Sequence, residues 1–499
     1  MTWSGDVEAT WAELVRGLIE KGFEIDDSGA PFGEVCYHDG TDERTVLVEI
    51  SRDVGFPFRA PRVRPWDGSG ARSWHQERDG TLCLYGPEGN TDWVWLDVDE
   101  LLGRVAEWFS QDAAGWPGAI PDLDLERYLE PAPSPAMILY GDIETVLGKP
   151  VRFRRRARTD VYELAGSGVR PPGNAKRNAQ LWGEAVDLGV LDRPFHRWDE
   201  LAVLLGDRAR PLEKRIREGR IEVVLVRYLR GERSAVAALT ARVGSGSIEI
   251  CAVESADDGA ATRLMRADPR APLLSARRVA LVGAGAVGSF LADMLLRDGV
   301  GQLVLVDGER LRPGNCVRHL LDCEHVGSNK AVGLRADLLQ RHQVDVARIT
   351  AIDHPLLDGE EAKRLLADHD LVINATAADL PTGLLNHCAE EARTPVLSVH
   401  LERDGELAVV HRRPVVEGVR NYDLAPDPRP RRSPLLEGGC GDPVARTPPH
   451  ATVAAAALCC NLAVAALVGV PDSLPATVVQ VLSPQPDPPL EAVATLEWR

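Results

Sequence analysis

The sequence predicts an α/β protein whose C-terminal part is a doubly wound parallel sheet, preceded by two smaller α+β units. Three observations carry this. The apolar runs "VALVG", "LVLVD" and "LVINAT" are unbroken rather than alternating, as strands covered on both faces should be. A strand, glycine turn, helix, strand order runs through "RRVALVGAGAVGSFLADMLLRDGVGQLVLVDGERL". At 499 residues the chain is also too long for one ordinary core, which sets a prior of about three domains.

The first unit, residues 1–120, opens with Val7, Trp11, Leu14, Val15 and Leu18 at helical spacing. "GEVCYHD" and "RTVLVEIS" read as strands, and the proline-marked "FPFRAPRVRP" as extended chain. "WHQERDGTLCLYG" then sets Cys83 between Leu82 and Leu84, directly after a polar turn with Asp79 and Gly80. Taken alone, Cys83 reads as a small core residue; a reactive thiol needs support from elsewhere in the chain. A helix with Leu101, Leu102, Val105, Trp108 and Phe109 on one face closes this unit.

The second unit, residues 121–265, shows no chemistry. "PDLDLERYLEPAPSPAM" reads as a linker and "RFRRRAR" as a basic run on a solvated face or linker, or one that docks an acidic partner. "RIEVVLVRYLRG" and "AVAALTARV" read as strands with a tight turn between them. The third unit, residues 266–499, carries Gly283, Gly285 and Gly288 as G-x-G-x-x-G between strand and helix. There the glycines let backbone approach phosphates and the helix start offers free N–H groups. Asp307 ends the next strand, where a carboxylate can accept bonds from ribose hydroxyls. At this point a dinucleotide-dependent dehydrogenase is equally well described.

A formal net charge of −18 argues against nucleic acid as the main partner. The nine cysteines are scattered with no C-x-x-C pair, so neither a disulfide framework nor a zinc site is expected, and a reducing cytoplasm fits best. No secretory leader is evident in "MTWSGDVEATWAEL". Residues 451–470 are long enough to cross a bilayer. They are mostly alanine with Asn461 in the middle, so a buried helix and no membrane is the expectation.

Downstream, "NCVRHLLDCEHVGSNKA" breaks the tie. The chain has only six lysines among 57 Lys and Arg residues, which singles out Lys330. Asn315, Arg318 and Lys330 after Asp307 resemble the ATP site of the ThiF/MoeB and ubiquitin-activating enzymes. The resemblance implies a Rossmann-like adenylation domain, ATP and magnesium as cofactors, a homodimer, and a cationic cluster gripping the triphosphate while a carboxylate attacks. It also implies a magnesium acid after "LVINATAADLP"; Asn374 and Ala377 stand where acids often do, and Asp379 is the first carboxylate available. An arginine supplied to a neighbouring subunit or domain would come from Arg263 or Arg266.

"SPLLEGGCGDPVARTPPH" places Cys440 in a glycine- and proline-rich loop, a position resembling the thioester cysteine of activating enzymes. The first unit resembles the ubiquitin-conjugating fold, in which a proline-rich strand precedes an exposed catalytic cysteine; on that resemblance Cys83 accepts a thioester. The usual His-Pro-Asn triplet is here His75, Gln76 and Glu77, with His75 either structural or catalytic. Both resemblances on one chain match the fusion proteins of bacterial ubiquitin-like systems, including CBASS antiphage operons. They imply adenylation of a protein C-terminus, either a CBASS nucleotidyltransferase or a ubiquitin-like protein, a thioester on Cys440, transfer to Cys83 and attack by an amine. The rivals are a ThiF/MoeB-like adenylating enzyme for a carrier protein or peptide without conjugation, an NAD-dependent oxidoreductase, and a catalytically silent scaffold.

Overall fold

In a computed structural model of the chain, the described residues are 6–67, 73–85, 93–117, 124–134, 136–170, 180–267, 269–415, 446–469, 474–483 and 495–498. They belong to two units, Met1–Gly259 and Ala260–Arg499.

The first unit begins with helix α1 (Val7–Glu20), whose N-cap Asp6 accepts the Glu8 and Ala9 N–H groups and whose Leu14 and Leu18 are buried. An antiparallel sheet follows in the order β1 (Glu24–Ile25), β2 (Pro31–His38), β3 (Glu43–Ser51) and β4 (Arg62–Pro65). The expected extension through "FPFRAP" is corrected: residues 54–58 turn, because Phe56 N–H bonds the Asp53 carbonyl and Arg59 N–H the Gly55 carbonyl. Only Arg62–Pro65 is strand. Helix α2 (Val98–Ala113), capped by Asp97, buries Leu101, Val105 and Trp108 against this sheet.

The same unit continues into a closed barrel. Its strands are β5 (Met137–Tyr140), β6 (Pro150–Arg155), β7 (Val161–Ser167), β8 (Gln180–Val190), β9 (Val223–Arg230), β10 (Arg233–Val243) and β11 (Ile248–Asp257). Helices α3 (Trp198–Leu205) and α4 (Ala209–Arg217) lie between β8 and β9. The basic run "RFRRRAR" is largely strand β6: Val151 and Phe153 point into the core while Arg152 and Arg154 alternate outward. From Asp124 on, the expected linker is corrected as well. Leu125, Tyr128 and Leu129 are buried in the core shared by the barrel and α3, since an apolar pair three apart on a 3-10 turn needs a surface to cover it.

The second unit opens with the short helices α5 (Ala260–Leu264) and α6 (Ala271–Leu274). Its strands are β12 (Arg278–Val282), β13 (Gln302–Val306), β14 (Ile349–Ile352), β15 (Leu371–Asn374), β16 (Val396–Glu402), β17 (Leu407–Arg413), β18 (Thr477–Val481) and β19 (Thr495–Trp498). They lie in the order β14-β13-β12-β15-β16-β17-β18-β19. The first five run parallel and the rest antiparallel. Helices α7 (Ala286–Arg297), α8 (Lys330–His342), α9 (Gly359–Asp368), α10 (Asp379–Ala392) and α11 (Pro449–Leu467) complete it. Apolar clusters cover both faces of the parallel strands. Sequence order reverses between β12 and β15, which opens a crevice at their C-terminal ends. Among the described residues α11 is the helix long and apolar enough to span a membrane, yet Ala455, Cys459, Ala463 and Val464 are buried in the same core.

Candidate nucleotide and thiol sites

The crevice beside β12 holds a cavity of about 480 Å³, lined among others by Gly283, Gly285, Asp307, Glu309, Arg318 and Lys330. The turn after β12 needs glycine for steric reasons. Gly283 has φ +98°, and a Cβ there would lie 2.7 Å from the Ala375 carbonyl carbon. Gly285 is the N-cap of α7 with no side-chain cap, and a Cβ on it would meet nothing within 4 Å, so open space stands in front of the first helical N–H groups. Gly288 does not line the cavity. A Cβ at that position would sit 1.9 Å from the Gly283 carbonyl oxygen, so its part is to let α7 close onto the turn.

Asp307 is held by both carboxylate oxygens: Oδ2 accepts the Ala284 N–H at 2.8 Å and Oδ1 the Glu309 N–H at 2.8 Å. Burial raises its carboxyl above the usual range, opposed by those N–H bonds and the Lys330 charge. Lys330, the first residue of α8, is 8% exposed, and its Nζ pairs with the Glu309 carboxylate. Burial holds the Arg318 guanidinium below its ordinary value. Asn315 is not brought to the cavity; its Oδ1 caps a 3-10 turn by accepting the Arg312 N–H at 3.0 Å. Asp379 starts α10, exposed and outside the lining. Among the described residues no group of three or more His, Cys, Asp or Glu is placed to hold a metal. Arg263 is exposed and donates to the His342 carbonyl and Gln343 Oε1, and Arg266 is exposed.

His319 was not singled out in the sequence, although it directly follows Arg318. Its Nε2 donates to the Ala284 carbonyl at 2.8 Å while Nδ1 accepts the Leu321 N–H at 3.0 Å, so a buried imidazole braces the glycine turn from below. Burial pushes it down to about 4. Cys459 and Cys460 are core residues, as expected, with burial lifting the Cys459 thiol to about 12. Cys440 lies outside the described residues.

In the first unit, Gln76 pairs with Leu82 across a tight turn in which Gly80 has φ +86°. The Leu82 N–H bonds the Val63 carbonyl of β4 and the Cys83 N–H bonds the His75 carbonyl. Cys83 is half-buried in a cavity of about 770 Å³ that Asp53, Arg62, Glu77, Asp79, Tyr85 and Arg127 also line. His75 is turned elsewhere: its ring stacks on Trp116, centroids 3.7 Å apart, and its carbonyl also accepts the Trp108 indole N–H. Of the side chains lining that cavity, Glu77 lies 4.0 Å from the thiol and pairs with Arg127, which stands in a stretch that reads as linker, so the sequence hid it.

An uncapped helix start after a parallel strand, a ribose-type acid and a buried lysine define a doubly wound nucleotide-binding domain of Rossmann-like build. Residues 261–480 match the model of the ThiF family, so the chain carries a ThiF-family domain. Over 142 residues the chain is 34% identical to the ATP-dependent ubiquitin transferase-like protein Cap2 of Pseudomonas aeruginosa, covering 28% of this chain and 24% of that one. With the Cap2 of Vibrio cholerae it shares 29% over 190 residues, 36% of this chain and 30% of that one. With the molybdopterin-synthase adenylyltransferase of Escherichia coli it shares 31% over 133 residues, 26% of this chain and 53% of that one. The matched stretches thus span from about a quarter to about half of these relatives' lengths.

Proposed function

We propose that the second unit adenylates the C-terminal carboxylate of a protein with ATP, and that Cys440 and then Cys83 carry the activated acyl group to an amine. The observation that carries this reading is the single cavity lined by Gly283, Gly285, Asp307, Arg318 and Lys330. ATP fits it by donor chemistry. The α7 N-terminus and the two cations face phosphate oxygens, and Asp307 accepts the ribose hydroxyls. The carboxylate oxygen of the incoming tail attacks the α-phosphorus and pyrophosphate departs, with Lys330 and Arg318 neutralising the charge that builds up.

A carboxylate becomes a good acyl donor once AMP is its leaving group. Attack by the Cys440 sulfur releases AMP and keeps the activation in a thioester. Exchange onto Cys83, in a unit that resembles the ubiquitin-conjugating fold, sets up aminolysis. The cargo is a protein with an extended C-terminal tail, a nucleotidyltransferase of a CBASS operon or a ubiquitin-like protein, and the adenylating unit acts as a homodimer. Cap2 relatives named as ubiquitin transferase-like support this reading over the nicotinamide-dependent one.

The test is a thioester trap. The full chain is mixed with Mg-ATP and a tagged tail protein, run on non-reducing gels, and compared with Cys83→Ala and Cys440→Ala. Reductant-sensitive adducts on both thiols are expected, with loading of Cys83 lost in Cys440→Ala. Pyrophosphate release without an adduct on either thiol would leave an adenylating enzyme with no conjugation step.

A further inference from the structure

Arg127 sits in the 3-10 turn Leu125–Tyr128, fifty residues beyond Glu77, yet its Nη2 donates to Glu77 Oε1. That same oxygen lies 4.0 Å from Cys83 Sγ, where the thiol can donate to it. One carboxylate oxygen therefore connects a guanidinium supplied by the segment leading into the barrel to a thiol supplied by the loop after β4.

Both ends of this bridge are anchored. Leu125 and Tyr128, on either side of Arg127, are 0% and 2% exposed. The Leu125 N–H bonds Tyr228 Oη at 3.2 Å, and Tyr128 Oη donates to the Trp74 carbonyl at 2.6 Å, within the very segment that leads to Cys83. The Glu77 N–H bonds the Thr81 carbonyl. The paired side chains are themselves 32% and 48% exposed, so the ion pair contributes little to stability. A bridge built on so rigid a frame and worth so little to the fold points to reactivity.

We propose that Arg127 is a positioning residue for Cys83: it holds the Glu77 carboxylate against the thiol as proton acceptor and offsets a negative charge that would otherwise oppose thiolate formation. The assignment rests on Cys83 as the acyl acceptor. As the Cys83 sulfur forms its bond to the thioester carbonyl carbon, the thiol proton passes to Glu77. The bond from that carbon to the donor sulfur breaks, and the departing thiolate takes the proton from Glu77, so charge and protons balance. Burial draws the Arg127 guanidinium down, but the Glu77 and Cys83 charges outweigh it and hold the group above its ordinary value. The other charged groups lining the cavity are Asp53, Arg59, Arg62, Arg78 and Asp79; Arg62 pairs with Asp79, and Arg78 with Glu130. The barrel segment thereby gains a part in the thiol chemistry.

The experiment follows iodoacetamide alkylation of Cys83 across a pH series in the full-length chain, resolved by peptide mass spectrometry, with exposed Cys36 as internal reference. In Arg127→Gln, alkylation of Cys83 near neutral pH is expected to fall about three- to tenfold, equivalent to a rise of roughly half to one pH unit in its midpoint. The alkaline plateau and the Cys36 profile should stay unchanged. Arg127→Lys should restore most of the shift, because it returns the charge without the planar fork. Glu77→Gln should move the midpoint the other way while slowing acyl transfer to Cys83 by about 100-fold. A Cys83 profile in Arg127→Gln that superimposes on wild type overturns the proposal. A shifted profile with no thioester on Cys83 in the trap would instead sink the acyl-carrier reading and leave Arg127's control of the thiol standing.

Discussion

Trp74 lies flat against Tyr228, ring planes within 10° and centroids 5.9 Å apart, and the Arg230 guanidinium sits 4.4 Å from the centre of the Trp74 ring. The Trp74 indole N–H bonds the Leu191 carbonyl at 3.2 Å. Tyr228 and Arg230 belong to β9, whereas Trp74 is nine residues ahead of Cys83. The loop that presents the thiol is thus built into the barrel's core, and the two sheets of the first unit are linked through it.

Trp74→Ala should cost about 3–5 kcal/mol of first-unit stability, the usual range for emptying a buried tryptophan site. Trp74→Phe, which keeps a ring but orphans the Leu191 carbonyl, should cost about 1–3 kcal/mol. Denaturant midpoints of the first unit check both. An unchanged midpoint in Trp74→Ala would mean that the stacking on Tyr228 holds nothing together.

Gly288→Ala should damage the nucleotide cavity although Gly288 itself does not line it. Its Cβ would meet backbone, the Gly283 carbonyl oxygen, so α7 must back away from the turn at a cost of about 1–3 kcal/mol. Nucleotide affinity should fall with it, read by isothermal calorimetry with ATP. Gly103, exposed in α2 with nothing within 4 Å of its Cβ position, is the control: Gly103→Ala should gain up to about 1 kcal/mol.

The parallel sheet was legible because strands covered on both faces leave a signature of unbroken apolar runs, and the placing of Asp307, Arg318 and Lys330 at the crevice because an acid at a strand end and a scarce lysine followed a recognisable glycine turn. The barrel was not legible. Leu125 and Tyr128 stand among prolines and acids that read as linker, and the closure that buries them pairs strands distant in sequence. Arg127 was invisible for the same reason, since only the fold brings it to Glu77. Asn315 stands apart from the crevice because, as the last residue of the short 3-10 turn Pro313–Asn315, its side chain reaches back to satisfy the Arg312 N–H. His319 carried no pattern, because a brace under a turn requires only a buried neutral imidazole.

That imidazole predicts a pH dependence. Its folded pKa, about 4, lies below the unfolded value near 6.5, so the unfolded chain binds the extra proton between these values. Stability is therefore full above about pH 6.5 and is lost as pH falls toward 4, by up to about 3 kcal/mol. His411, also pushed down to about 4 by burial, acts in the same direction. His319→Gln should flatten the stability slope of the second unit between pH 4 and 6.5 by roughly half, measured as denaturant midpoints at a series of pH values. A slope equal to wild type would mean that His319 takes up its proton as readily in the folded chain as in the unfolded one.

Lys330 offers the sharpest separation of chemistry from folding. Its partner Glu309 is 75% exposed, so deleting the ammonium leaves that carboxylate to water, while the buried Asp307 keeps the Ala284 and Glu309 N–H bonds that hold it. Lys330→Ala should accordingly leave the melting temperature of the second unit nearly unchanged. In the proposed reaction, by contrast, Lys330 faces the triphosphate where negative charge accumulates in a partly enclosed cavity, and losing such a group costs about 100- to 1000-fold in rate. ATP–pyrophosphate exchange driven by the tail protein should fall by that factor. If exchange and melting temperature fell together, Lys330 would be holding α8 in place rather than the triphosphate; a loss of exchange alone assigns it to the nucleotide.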